Sequence, residues 1–202
     1  MDWTAIPADK VIEQTVSALK KRNIQVIVVS NKREALAKLK ELIPAGASVM
    51  TGGTTTLDEI GFTDVLKSQK HPWRNLKDAI FAEKDPAKQY ELRRQSLLVD
   101  YFVASVQAIA QTGEVLNCDA TGTRTGPYAY GPKQVIWVAG AQKIVADLTQ
   151  AFRRMWEHCV PLEDQRMKNI GYPGTTVSRI LIYEKADPGR ITMILVKEKL
   201  GF

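Results

Sequence analysis

The sequence holds two cysteines and two histidines in 202 residues. Cys118 and Cys159 lie far apart, and no CxxC or Cys/His cluster exists. That pattern excludes a zinc module and a disulfide framework. Reduced cytosolic thiols are the simplest account, and no metal or iron–sulfur cluster is expected in this chain. No apolar run approaches the ~18 residues needed to span a bilayer. The opening MDWTAIPADK lacks the apolar core of a secretory signal. A cytoplasmic location without a membrane partner is the expectation. There is no Gly/Ser linker, no repeat and no low-complexity stretch, which favours one domain over residues 1–202. A basic tail is also missing. Residues 1–100 carry 16 Lys/Arg against 13 Asp/Glu, and residues 101–202 carry 12 against 9. The longest basic run, Lys20-Lys21-Arg22, ends a predicted helix, where cations complement the dipole. Nucleic acid is therefore not an expected partner, while the net charge of +6 still favours small anions.

The apolar fraction of 45% and charged fraction of 25% suit a folded core. Residues 8–22 have helical spacing, with Ile12, Val16 and Leu19 on one face. The run Ile24–Ser30 is strongly β-prone. Residues 32–43 return to helical spacing, and Pro44 stops that helix. A strand at Ser48–Met50 leads into Thr51-Gly52-Gly53-Thr54-Thr55-Thr56, with a helix expected from Leu57. A charged helix is predicted over 85–97. Apolar β-like runs follow at 101–106, 114–118, 134–139, 179–183 and 191–196, interrupted by a predicted helix from Lys143 to Trp156. This alternation predicts an α/β fold: an open, mainly parallel sheet with helices on both faces.

Three segments carry chemistry. The first, TGGTTTLDEIG at 51–61, is a strand, two glycines, three hydroxyl residues and a helix start. Glycine permits close approach of a ligand to the backbone, and free amides at a helix N-terminus attract anions. The same residues also fit helix capping boxes, Thr55 with Asp58 and Thr56 with Glu59. They match neither the Walker A pattern nor the dinucleotide fingerprint. The second, DATGTRTGPYAYGP at 119–132, is a long connection between predicted strands, where α/β folds bind ligands. Its Gly122 and Arg124 suit a carboxylate or phosphate clamp, or Arg124 forms a surface ion pair. Tyr128 and Tyr130 line a pocket mouth or close the loop. The third, VAGAQKIV at 138–145, ends a strand at Gly140 and puts Lys143 at a predicted helix start. A cation there either accompanies a bound anion or is a snorkelling surface lysine. Glu59, Asp100 and Asp119 are candidate acids, bases or nucleophiles, with Glu59 taken as the nearest acid/base group. His71 and His158 have no triad-like context and are read as solvent or packing residues.

Three blocks in this order resemble the LUD (lactate utilisation) family: TGGTTTLDEIGF at 51–62, VASVQAIAQTGEVLNCDATGTR at 103–124 and GPKQVIWVAGAQKIVADL at 131–148. The likeness extends to the closing ITMILVKEKLGF. It implies a fold similar to the ribose-phosphate isomerase, glucosamine-phosphate deaminase and CoA-transferase group. It also implies a part in growth on lactate, where such proteins accompany iron–sulfur oxidoreductase subunits. Two departures stand out. The family's Gly-Asn-Arg and Gly-x-Asn-Lys are here Gly122-Thr123-Arg124 and Gly140-Ala141-Gln142-Lys143. A cysteine cluster common in relatives is replaced by Gly171-Tyr172-Pro173-Gly174-Thr175-Thr176, so thiolate ligation in that segment is excluded. The leading expectation is a cleft for a small anionic metabolite, formed by Gly52, Gly53, Thr54, Thr55, Thr56, Gly122, Arg124, Gly140 and Lys143. Whether catalysis follows is left open. The alternatives are an isomerase or acyl-CoA-handling enzyme, by fold analogy, and a non-catalytic subunit docked on an oxidoreductase through an apolar patch near Trp73 or Trp156. A homo-oligomer also remains open.

Overall fold

A computed structural model describes residues 1–202. Nine α-helices run over Asp9–Lys21 (α1), Lys32–Leu42 (α2), Thr55–Glu59 (α3), Phe62–Lys67 (α4), Leu76–Ala82 (α5), Pro86–Gln95 (α6), Thr125–Ala129 (α7), Leu148–Arg154 (α8) and Val160–Asn169 (α9). The strands are Ile24–Val29 (β1), Ser48–Thr51 (β2), Arg74–Asn75 (β3), Tyr101–Ala104 (β4), Ala108–Ala110 (β5), Val115–Asp119 (β6), Gln134–Gly140 (β7), Ile144–Val145 (β8), Arg179–Tyr183 (β9) and Ile191–Val196 (β10).

Six strands form one sheet in the order β1-β10-β7-β4-β2-β3, with every pairing parallel. The reason is legible in the central runs QVIWVAG and ITMILV. Both are apolar on successive residues and are buried on both faces, as a covered parallel sheet requires. Alternate side chains divide between two cores. Val135, Trp137 and Ala139 pack with Ile12 and Leu19 of α1. Ile136 and Val138 pack with Leu39 of α2, Leu57 of α3 and Phe62 of α4. Helices therefore cover both faces, as predicted.

The strand runs at 114–118 and 179–183 do not join this sheet. They belong to a second sheet, β8-β5-β6-β9, in which β6 pairs antiparallel with β5 and β9. An apolar run does not say which sheet receives the strand: β6 is buried throughout, whereas β9 is an exposed to half-buried edge. Ile109 of β5 faces the large-sheet core, whereas Ala108 and Leu116 face Trp3, Ala151 and Met155. The small sheet is thus a layer between the large sheet and α8.

The helix expected from Lys143 begins five residues later. Asp147 caps α8 by accepting from the Gln150 amide at 2.8 Å. Ile144 and Val145 are β-branched and pair with β5 instead. Lys143 closes a 3-10 turn, Ala141–Lys143, and does not start a helix. After α8, Met155–Cys159 forms a π-helical turn that leads into α9.

Two further expectations change with packing. Trp73 is buried and donates from Nε1 to the Ile43 carbonyl at 3.0 Å, so it offers no docking patch; Trp156 is exposed. Arg22, from the basic run, is a structural cation: it bonds the Thr112 carbonyl and pairs with Glu114 and Glu184.

Candidate functional site

Parallel strands end on one edge together, and that edge is where open α/β sheets bind ligands. The register aligns Thr51 of β2 with Val103 of β4, Ala104 with Trp137 of β7, and Gly140 with Val196 of β10. The segments that follow, Gly52–Thr56, Ser105–Gln107, Ala141–Lys143 and Lys197–Phe202, converge beyond these ends.

Lys143 stands at the centre with only 3% of its surface exposed. Its Nζ lies 3.0 Å from Ser105 Oγ, 3.1 Å from the Val106 carbonyl and 3.2 Å from Thr56 Oγ1. None of these partners is a carboxylate. Burial, reinforced by the Arg154 and Arg124 cations, pulls its pKa down from 10.5 to about 7. The snorkelling reading is therefore wrong, because an ammonium that reaches water keeps its charge and its exposure.

Arg124 is half-buried beside it. Its guanidinium donates to the Cys118 carbonyl at 3.2 Å and forms no ion pair. The loop that carries it is organised by Asp119. That carboxylate accepts from the amides of Gly122 (2.6 Å), Arg124 (2.9 Å) and Thr125 (2.8 Å), and from the Thr125 hydroxyl (3.1 Å). Burial pushes the Asp119 pKa up, but these donors outweigh it and hold it below the ordinary value. Asp119 is thus a framework group whose lone pairs are engaged. Gly122 takes the positive φ of +86° that this turn demands.

The first glycine of the Gly-Gly pair has a role the sequence did not disclose. A Cβ on Gly52 would lie 2.6 Å from Arg124 Cγ, so Gly52 leaves room for the arginine stem, and its amide is spent on the Val103 carbonyl. Gly53 is open on its Cβ side, and the amides of Gly53 and Thr54 donate to no protein acceptor. Thr54, not Thr55 or Thr56, caps α3, accepting from the Thr56 amide. The five-residue α3 is too short for a helix-end anion site of the kind first expected. Gly140 is also a packing glycine: a Cβ there would come within 2.6 Å of the Glu198 carbonyl and the Leu200 amide. Gln142 fixes that same segment by donating to the Leu200 carbonyl at 2.8 Å. Glu59 stands apart from the cleft, exposed, accepting from the Gly201 amide at 2.8 Å.

A third cation enters from the far helix. Arg154 is fully buried and donates to the carbonyls of Gln107 and Trp3 and to Cys159 Sγ, the last at 3.0 Å; its Nε has no partner. The π turn explains the Arg154–Cys159 contact, because a π repeat closes i with i+5 whereas an α repeat turns residue 159 away. Burial pushes the Cys118 thiol up to about 12 and raises Cys159 as well, so both are neutral thiols at physiological pH. Glu163 borders the same space, but its oxygens are held by Arg166 in a bidentate pair at 2.7 Å.

Between Gly53, Ser105, Arg124 and Lys143 lies a cavity of about 50 Å³. That is room for roughly one or two waters, or for the charged end of a small molecule. A second cavity of about 40 Å³ lies across Arg124, against Cys118, Asp119 and Thr175. Gln107, Arg124, Cys159 and Glu163 border both. A wider concavity of about 750 Å³ runs along Lys10, Glu13, Ser17 and Lys21 of α1. It is an open, solvated helix face without converging buried polar groups, so the strand-end cavities are the stronger candidate.

The structure thus gathers Gly53, Thr54, Thr55, Arg124 and Lys143 round one cavity and sets Thr56 against Lys143. Gly52, Gly122 and Gly140 act through the backbone, and Glu59 lies outside. Asp100 is at the opposite end of the sheet, bonded to Ser48 and Lys133. Tyr128 is fully buried, its hydroxyl donating to the Ser105 carbonyl at 2.5 Å, while Tyr130 points into solvent. Reading by residue type passed over Ser105, Gln107, Arg154, Cys159 and Phe202. For Gln107 a signal existed, since it directly follows the predicted strand 101–106; Ser105 was counted inside that strand, which ends at Ala104.

The comparisons agree with this architecture. The chain resembles a DUF162 family protein from Deinococcus radiodurans in fold: identity is 13%, with 94% of this chain and 99% of that chain covered and a TM-score of 0.55. No curated protein matches in sequence. The LUD domain profile matches residues 12–196, and the chain belongs to the LUD domain family.

Proposed function

We propose that this LUD-family protein serves organic-acid utilisation, lactate being the family's associated growth substrate, by binding a small anionic metabolite at the strand-end cavity. The observation that carries this reading is charge without counter-charge. Arg124 and Lys143 border one small space, Arg154 lies behind its Gln107 and Cys159 wall, and no carboxylate bonds to any of them. Buried cations are costly unless paired, so a carboxylate or phosphate completes the site. In this reading the charged group sits between Arg124 and Lys143, near the unengaged amides of Gly53 and Thr54, and the rest of the metabolite extends past Gln107 and Phe202.

A thermal-shift screen against lactate, pyruvate, inorganic phosphate, sugar phosphates and CoA esters tests it. A ligand at ~100 times its dissociation constant adds roughly 2.7 kcal/mol to stability. The expected outcome is stabilisation by one anion class that disappears in Arg124→Ala. Stabilisation that persists in Arg124→Ala would move the ligand elsewhere.

A further inference from the structure

We propose that Ser105 is a nucleophile activated by Lys143, and that the site performs acyl transfer or hydrolysis on a small acyl compound bearing a negative charge. The proposal uses the anion reading above only for the contact of that charge with Arg124.

The argument begins with the hydrogen-bond accounting. Lys143 Nζ lies 3.0 Å from Ser105 Oγ, 3.1 Å from Val106 O and 3.2 Å from Thr56 Oγ1, and Thr56 Oγ1 lies 3.4 Å from Leu200 O and 3.2 Å from Ser105 Oγ. With Lys143 neutral, every proton has a place. The Ser105 hydroxyl donates to the Nζ lone pair. Nζ donates to the Val106 carbonyl and to Thr56 Oγ1, and the Thr56 hydroxyl donates to the Leu200 carbonyl. Lys143 faces two hydroxyls and a carbonyl and no carboxylate. The arrangement is that of an activated nucleophile: a hydroxyl within hydrogen-bond reach of a base, and the base oriented by a further group. The base also titrates near neutrality, where general-base catalysis is most effective.

Ser105 is placed for this task. It follows β4 directly at the strand-end edge, borders the cavity with Arg124 and Gly53, and has its own carbonyl held by the Tyr128 hydroxyl. The two thiols nearby are protonated and offer no competing thiolate.

The step balances without a redox partner. Ser105 Oγ bonds to the acyl carbon while its proton passes to Lys143 Nζ. The bond to the leaving group breaks, and the Lys143 ammonium returns that proton to the departing atom. The acyl group is then an ester on Ser105. Water or an acceptor alcohol or thiol, deprotonated by Lys143 in turn, releases it.

The test uses the full chain and two activated esters, 4-nitrophenyl acetate and the anionic mono-4-nitrophenyl succinate. Nitrophenolate release is followed from pH 5.5 to 9, and acylated protein is mapped by mass spectrometry. The proposal expects an adduct on Ser105, faster with the succinate, and a rate that rises through about pH 7. Ser105→Ala removes the adduct. Ser105→Cys keeps it as a thioester, and Lys143→Arg slows acylation roughly 100-fold, the scale of a lost general base. Circular dichroism and melting of each variant show that the fold persists. Acylation of Ser105 at equal rates by both esters, unaffected by Arg124→Ala, would keep the nucleophile and reject the anion reading. Adducts on Lys143 or on scattered residues, or release unchanged in Ser105→Ala, would overturn the nucleophile while leaving anion binding to its own test.

Discussion

The two ends of the large parallel sheet treat charge in opposite ways. At the amino end, Asp100 accepts from the Lys133 ammonium at 2.7 Å and from the Ser48 amide and hydroxyl at 2.9 and 2.7 Å. The Lys133 contact first, and Ser48 with it, hold the Asp100 carboxyl well below its usual range. At the carboxyl end, Arg124 and Lys143 border the cavity with Arg154 behind it, none bonded to a carboxylate, and burial pulls the Lys143 pKa down to about 7. One end is a finished latch between β2 and β4. The other is, in the proposed reading, completed by an anion from outside. Stability and function are, in that reading, assigned to opposite ends of a single sheet.

Four outcomes sharpen or break this contrast. The largest concerns the loop that presents Arg124. Asp119→Ala removes four hydrogen bonds, three of them to amides. At ~1 kcal/mol or more for each such bond, chemical denaturation should show a loss of about 3–5 kcal/mol, together with loss of anion-dependent stabilisation. Next in size is Lys143→Met. A buried cation without a counter-charge contributes little to folding, and replacement by an apolar chain of similar volume is often near neutral. Unfolding free energy should stay within about 1.5 kcal/mol of wild type, while anion affinity falls at least tenfold. A large loss of stability with unchanged binding would reverse the assignment of the two ends.

The third outcome is a pH profile. Between about 7 and 10.5 the unfolded chain keeps a proton on Lys143 that the folded chain has released. Folding therefore becomes more favourable as pH rises through that window, and the gain is complete above it. Asp100 and Asp119 have lowered values, so their contribution is present above the ordinary carboxylate pKa and is lost as pH falls through the folded values. Urea titrations from pH 3 to 10 should show both slopes, and Lys143→Met should remove the alkaline one. The smallest effect belongs to Asp100→Asn. The ion pair with Lys133 is largely solvent-exposed, so the cost should be about 1 kcal/mol or less. Anion binding should not change.

Much of the fold was legible because its signals are local. The runs 134–139 and 191–196 are apolar over consecutive residues, as the central strands of a sheet covered on both faces require, and the β-branched run Ile24–Ser30 supplies the edge strand beside them. Arg124 stood out as a lone cation in a long strand-end loop, and it does border the cavity. The environment of Lys143 was not legible. Its flanking Ile144 and Val145 fit a helical stripe and a short strand equally well, and pairing with β5 decided between them. Arg154 and Cys159 were invisible as a pair because side chains five apart share a face only on a π turn. Gly52 read as a glycine for a ligand, yet the atoms it admits are those of Arg124, brought from 72 residues away. Such long-range fits leave no periodicity in the sequence.

Titration calorimetry with inorganic phosphate and with pyruvate tests the central claim most directly, on wild type and Arg124→Ala, at pH 8 in two buffers of different ionisation enthalpy. An anion beside Lys143 raises its pKa, so binding should take up a fraction of a proton, and the observed heat should differ between the buffers. The account predicts that one of the two anions binds wild type with this proton uptake, and that Arg124→Ala weakens it at least tenfold. Binding with no proton uptake and equal affinity in Arg124→Ala, or no binding of either anion, would contradict it.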